Sequence, residues 1–204
     1  MTHRIARASV TVILVLLTAC ATPVRKPSGD ADTLWQQQQQ RLGALNNWEL
    51  AGRISIQLES EGWSASLYWE QDHERYQLRI VAPLGRGTVE IAGDDQNVKL
   101  HTADNRVLEN GAIDEMMREN LGWEVPVDAL VYWIRGLPQP GAPTENLQLD
   151  EQGRVMAMQQ SGWSIQYERY TNSNGFEVPA RMTVQRENLR LRLNINRWTL
   201  PDVS

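Results

Sequence analysis

The 204 residues contain one cysteine, one phenylalanine and three histidines. A lone cysteine excludes a disulfide scaffold and every zinc site built on paired thiolates. His73 sits in the charged turn Asp72-His73-Glu74-Arg75, His101 ends an alternating run, and neither has metal-ligand spacing. Basic residues are also in deficit, 20 against 25 acidic, for a formal charge of −5. That balance leaves no broad cationic footprint, so no nucleic-acid partner is expected. A Gly-x-Ser-x-Gly elbow and a phosphate loop are both absent, which removes the ordinary serine-hydrolase and nucleotide-driven readings. The acids are scattered along polar strand faces; a carboxylate pair assembled from distant strands stays open. No catalytic residue, metal or enzymatic activity is expected. Long hydrophobic runs are scarce too: Val10 to Leu17, broken by Thr11, falls short of the roughly 20 residues a membrane-spanning helix needs.

What is present begins with an address. His3, Arg4 and Arg7 form a short basic start, the apolar run follows, and it ends in Leu17-Thr18-Ala19-Cys20. This resembles a bacterial lipoprotein signal, with a Leu three residues before the Cys and small residues between them. Residues 1–19 are then a signal peptide, and Cys20 is the first mature residue, lipidated with an acyl chain and diacylglycerol. Such chains contribute about 0.8 kcal/mol per buried methylene, and two or more of them anchor a protein firmly. Ala21 follows, where Gram-negative lipoproteins held at the inner membrane commonly carry Asp; by that analogy the destination is the outer membrane. Residues 20–33 hold Pro23, Pro27, Ser28 and Gly29 without apolar periodicity and read as a tether. A single domain is expected over residues 34–204.

Asp30 or Asp32 can cap a helix running to about Asn46, with Leu34, Gln38, Leu42 and Leu45 on one face and Trp35 beside it. After Asn47 the hydrophobic period changes from 3.6 to 2. Trp48, Leu50, Ile54, Ile56 and Leu58 alternate with polar residues, as do Trp63, Ala65, Leu67 and Trp69, and Tyr76, Leu78 and Ile80. Val89 and Ile91, then Val98 and Leu100, continue the pattern. Trp163, Ile165 and Tyr167, then Ala180, Met182 and Val184, then Leu189, Leu191, Leu193 and Ile195 resume it near the end. Turn residues, Asn174-Gly175 among them, separate the runs. Alternation over so many short segments means antiparallel strands with one apolar face. About ten or eleven of them must curl into a barrel-like sheet or pair as a sandwich to cover it.

The middle differs. Asp114 to Leu121 and Val127 to Ile134 have helical spacing within a stretch rich in Pro and Gly. Two short apolar helices can cover the apolar side of a curled sheet or pack as ordinary core, and the spacing alone leaves both open. Met116, Met117, Met156 and Met158 suit adaptable packing.

Six segments carry a family resemblance: Trp48-Glu49-Leu50-Ala51-Gly52-Arg53-Ile54, Ala65-Ser66-Leu67-Tyr68-Trp69, Ala82-Pro83-Leu84-Gly85, Gly122-Trp123-Glu124-Val125-Pro126-Val127, Tyr132-Trp133-Ile134-Arg135-Gly136-Leu137-Pro138 and Gln160-Ser161-Gly162-Trp163-Ser164-Ile165-Gln166-Tyr167. Each is short, but in this order, with the lipoprotein signal ahead of them, they resemble the LolB family over essentially the whole chain. The resemblance implies a mainly β fold, an unclosed antiparallel β-barrel of about eleven strands with an N-terminal helix and short lid helices over a hydrophobic cavity. It implies a receptor, lipid-anchored on the periplasmic face of the outer membrane, that accepts mature lipoproteins from a periplasmic carrier of the LolA type. Their acyl chains are hidden in the cavity and then placed in the inner leaflet, without nucleotide or cofactor. The cavity is expected to be lined by Ile54, Ile56, Leu67, Trp69, Leu78, Ile80 and Trp163, with Trp133 from a lid helix. Leu84, between Pro83 and Gly85 at a turn tip, has no core to join and is expected to enter outer-membrane lipid. A monomer is expected. The alternative is another lipid-binding lipoprotein of envelope assembly.

Overall fold

The computed structural model describes residues 29–59, 61–83, 87–94, 97–109, 118–119 and 125–202. Helix α1 (Gly29–Gly43) leads into β1 (Asn47–Leu58), β2 (Glu61–Asp72), β3 (Arg75–Val81), β4 (Thr88–Gly93), β5 (Val98–His101) and β6 (Val107–Glu109). Helix α2 (Val127–Trp133) follows, then β7 (Thr144–Leu149), β8 (Val155–Gln160), β9 (Trp163–Ser173), β10 (Phe176–Arg186) and β11 (Leu189–Thr199). All eleven strands belong to one antiparallel sheet in the order β6-β5-β4-β3-β2-β1-β11-β10-β9-β8-β7. β6 and β7 are its two edges, so the sheet is unclosed. Two meanders of sequential hairpins are joined at the centre by β1 and β11, the first and last strands of the chain.

The period-2 pattern explains the sheet's two faces. Ile54 and Ile56, Leu67 and Trp69, Leu78 and Ile80, Ile165, Met182 and Val184, and Leu191 and Leu193 are all buried, while their neighbours along each strand face outward or lie half-buried, except Thr183, which is buried as well. The helices lie on this apolar face, and the core sits between them and the strands. Tryptophan supplies much of its bulk. Trp48 stands 5.4 Å from Trp69 and 5.5 Å from Trp198, and Trp133 packs 6.1 Å from Trp163, all as tilted pairs.

Two glycines are dictated by backbone geometry. At Gly52 the pairing of β1 with β11 skips Asn196, and a Cβ would stand 2.2 Å from the Asn194 carbonyl oxygen. The bulge re-phases β11, so that Ile195 and Trp198 both turn inward. Between β9 and β10, Asn174 and Gly175 both have positive φ, 46° and 79°, as a tight hairpin turn requires.

Several expectations need correction. Helix α1 stops at Gly43 rather than near Asn46, and it takes in residues 29–33, the end of the expected tether. Its buried stripe is Ala31, Trp35 and Leu42, with Leu45 buried just past its end, leaving Leu34 exposed. Trp63, in phase with Ala65 and Leu67, lies at the end of its strand beyond the reach of β3 and remains 43% exposed. Met156 is exposed on β8 while Met158 is buried. Strands β6, β7 and β8 show too little alternation to be read from sequence. Of the first expected middle helix, Arg118 and Glu119 are helical; Met116 and Met117 lie outside the described residues.

Candidate functional site

Helix α2 crosses the apolar face where β1 to β4 and β11 meet. Ile54, Leu67, Trp69, Leu78 and Ile80 form the floor there, extended by Ile91, Leu191 and Leu193. Val125, Val127 and Leu130 close it from above. Between these apolar walls lies a cavity of about 20 Å³. That is room for one water at most, and a void without polar partners stays dry. No acyl chain fits unless α2 moves away from the floor.

The two ends of α2 are held differently. At its C-terminal end, the Trp133 indole nitrogen donates to the Gln160 side-chain oxygen at 2.7 Å, and the Tyr167 hydroxyl donates to the Trp133 carbonyl at 2.7 Å. Gln160, 1% exposed, also accepts from the Gln139 amide and donates to the carbonyls of Gln139 and Ala142. Arg135, just past the helix, is buried and reaches α1: one guanidinium nitrogen donates to the carbonyls of Leu42 at 3.0 Å and Leu45 at 2.8 Å. Its Nε donates to the Val131 carbonyl, and its guanidinium lies over the Tyr132 ring. These carbonyls close the C-terminus of α1, the negative end of its dipole, which is where a buried cation is tolerated. Burial draws the Arg135 guanidinium down from its ordinary value and pushes the Tyr167 hydroxyl well up from its own; the arginine still stays protonated.

At the N-terminal end, Pro126 caps α2 without a side-chain hydrogen bond. Among the described residues no polar side-chain bond ties Val125 to Leu130 to the sheet; this half rests on apolar contact. Among the described residues the helix is thus bolted at one end and rests on apolar contact at the other.

Of the expected cavity residues, Ile54, Leu67, Trp69, Leu78 and Ile80 line the void. Ile56, Trp133 and Trp163 are buried but do not line it, because Trp133 and Trp163 pack together over β8 and β9 beside Gln160. The alternating runs do not by themselves single out Ile91, Leu191 and Leu193; Ile91 joins the floor by pairing with Leu78, and Leu191 and Leu193 by the pairing of β1 with β11. Arg135, Gln160 and Tyr167 fall inside the resembling segments, but nothing in those segments announces their buried bonding. Pro83 is exposed at the end of β3, while Leu84, Gly85 and Cys20 lie outside the described residues. Among the described residues no three His, Cys, Asp or Glu side chains cluster to hold a metal, and no helix is long and apolar enough to cross a membrane.

Comparison with known proteins bears on what this arrangement belongs to. Residues 46–198 match the family model described as outer membrane lipoprotein LolB. The outer-membrane lipoprotein LolB of Nitrosococcus oceani is 35% identical over 95% of this chain and 98% of its own. That of Pseudomonas syringae is 32% identical over 91% and 92%, and that of Pseudomonas aeruginosa 33% identical over 91% of each. Among solved structures, a LolA superfamily protein from Nitrosomonas europaea superposes with a TM-score of 0.55 at 8% identity, covering 87% of this chain and 96% of its own, and shares the fold. With the family model spanning three quarters of the chain and these relatives matching nearly all of it, the chain belongs to the LolB family.

Proposed function

We propose that this protein is an outer-membrane lipoprotein receptor, which takes lipoproteins from a LolA-type carrier and inserts them into the outer membrane. Membership of the LolB family supports the receptor and the outer-membrane location. The observation that carries the mechanism is the all-apolar void under α2, closed by a helix whose polar ties among the described residues lie at its C-terminal end.

An acyl chain in water is driven into any apolar cavity by about 0.8 kcal/mol per methylene, tens of kcal/mol for a lipoprotein's chains. The donor's cavity offers nearly the same gain. Transfer therefore runs on the difference, on the order of 1 to 3 kcal/mol, or about 5- to 150-fold in affinity. No nucleotide is needed for a step of that size. Helix α2 swings about its Trp133–Arg135 end, and the chains replace Val127 and Leu130 as the cover over Ile54, Leu67 and Leu78. Apolar contact is exchanged for apolar contact, which keeps the opening cheap. Because the sheet is unclosed, the chains can leave sideways into a bilayer.

Cys20 carries acyl and diacylglycerol chains that anchor the domain on the periplasmic face of the outer membrane. Leu84, between Pro83 and Gly85, enters the lipid as the chains depart. The protein acts as a monomer without cofactor, and it rearranges no covalent bond.

The test is transfer. A lipoprotein loaded on its periplasmic carrier is mixed with this protein in the absence of nucleotide, and the complexes are separated. The lipoprotein should move onto this protein. Retention on the carrier, with both proteins folded, would contradict the reading.

A further inference from the structure

On the face of the sheet opposite the helices lies an open groove of about 280 Å³, lined by Ser55 and Gln57 of β1, Gly62 and Ser64 of β2, and Arg190 and Arg192 of β11. The pairing explains it. Gln57 stands opposite Gly62 on one side and Arg190 on the other, and Ser55 lies likewise between Ser64 and Arg192. Small residues on β1 and β2 leave a hollow beside two long cations two positions apart, roughly 6–7 Å along the strand. No carboxylate lines the groove. Arg190 Nε donates to the Gln185 side-chain oxygen at 2.9 Å, and neither arginine is ion-paired with a described residue. Glu59 and Glu187 stand on nearby turns and Glu61 opens β2, all three outside the groove. In an acidic protein two arginines aimed at one hollow without an acid are out of keeping with their surroundings. On the floor the Ser55 and Ser64 hydroxyls are 2.8 Å apart, and whichever accepts that bond has its own proton left to donate outward.

We propose that this groove seats the phosphate of an anionic phospholipid headgroup. A phosphodiester has two free oxygens and one negative charge, which suits two guanidiniums and a hydroxyl. The choice of a lipid over another anion rests on the proposed membrane contact. The groove lies at the sheet end that holds the β1–β2 and β10–β11 turns, joined by the Glu59 amide to the Asn188 carbonyl. The antiparallel order places the end of β3, with Pro83 just beyond it, at that same end. Trp63, which also lines the groove between Gly62 and Ser64 and is 43% exposed, is the side chain type that settles at a bilayer interface. An open groove also lets a headgroup reach it while the lipid's tails remain in the membrane. Phosphate held there would fix the domain's orientation as the turn enters the leaflet.

The test titrates the full-length protein in nonionic detergent with dihexanoyl phosphatidylglycerol, dihexanoyl phosphatidylcholine and inorganic phosphate, following the Gly62 and Ser64 amide resonances. Phosphatidylglycerol should shift both, with at least tenfold tighter binding than either other probe. Two variants check the site. Arg190→Gln with Arg192→Gln removes the cations. Gly62→Glu fills the hollow with a like charge, and its Cβ meets only the Ile56 carbonyl oxygen at 3.6 Å, so the sheet accommodates it. Each should weaken phosphatidylglycerol binding at least tenfold while circular dichroism stays that of the wild type. Equal binding of inorganic phosphate would overturn the lipid assignment, as would unchanged lipid affinity in both variants. So would variants that lose affinity for the carrier protein alone, since the groove would then dock an acidic protein. Transfer of lipoprotein from the carrier is measured on the same samples. Wild-type protein that binds the lipid but takes no cargo upholds the groove and defeats the receptor reading; cargo uptake without lipid shifts does the reverse.

Discussion

The indole nitrogen of Trp133 and the side-chain oxygen of Gln160 meet at 2.7 Å in the interior, 27 residues apart in sequence. This bond and the three others that Gln160 makes with Gln139 and Ala142 tie the end of α2 to β8 and to the loop between them. Replacing Gln160 with Met keeps the volume but orphans the Trp133 and Gln139 donors. Each buried unsatisfied group costs about 1 to 3 kcal/mol, so a loss of roughly 2 to 5 kcal/mol is expected in urea unfolding. A loss below about 1 kcal/mol would mean that water reaches this cluster.

Arg135 carries the link between the helices. Arg135→Leu removes the guanidinium donor from the Leu45 carbonyl and leaves the Leu42 carbonyl with the Leu45 amide alone, and it should cost about 1 to 3 kcal/mol. Arg135→Lys restores the charge but not the planar fork, so it should recover only part of that loss. Full recovery with Lys would show that charge alone matters here.

The pH dependence has a definite sign. Burial raises the Tyr167 hydroxyl well above its ordinary value of 10.0, and burial and the nearby Asp150 raise that of Tyr170. In the unfolded chain these phenols ionise near pH 10, whereas in the folded chain they hold their protons. Their stabilisation is therefore complete below about pH 10 and is lost as pH climbs toward the folded values. Tyrosinate absorbance should rise together with loss of β-sheet circular dichroism. Tyr167→Phe with Tyr170→Phe should flatten the alkaline decline in stability; an equally steep decline would point to other groups.

For Leu84 the proposal separates two steps. Leu84→Glu should leave the melting temperature and the uptake of lipoprotein from the carrier unchanged. Release into liposomes should slow at least tenfold, because a carboxylate resists entry into hydrocarbon. Release at the wild-type rate would remove the turn from the mechanism.

Which of these features the sequence reveals depends on whether they are local. The alternation of Trp48 to Leu58 or Leu189 to Ile195 is local, and it marks both the strands and their buried faces. Strand β8 is harder, since Val155, Met156, Ala157 and Met158 are all apolar and give no phase, and on β7 Leu147 points to solvent. Five expected cavity residues line the void because they share one face of three sequential hairpin strands. Trp133 and Trp163 have the same composition signal but pack over β8 and β9, a distinction set by where α2 ends. The contribution of Leu191 and Leu193 depends on β11 returning beside β1, a pairing nearly 140 residues away in sequence. Buried polar bonds such as those of Arg135 leave no periodic trace at all.

On the proposed function, acyl chains occupy the space beneath α2. A photo-reactive phenylalanine analogue at Leu67 or Leu78, on the floor of the void, places a reporter there; one at Val184, buried away from it, serves as control. Each variant is mixed with carrier-bound lipoprotein carrying labelled acyl chains and irradiated. Labelled adducts are expected from Leu67 and Leu78 and none from Val184. Transfer that proceeds with no adduct from either floor position, or with equal labelling at Val184, would contradict it.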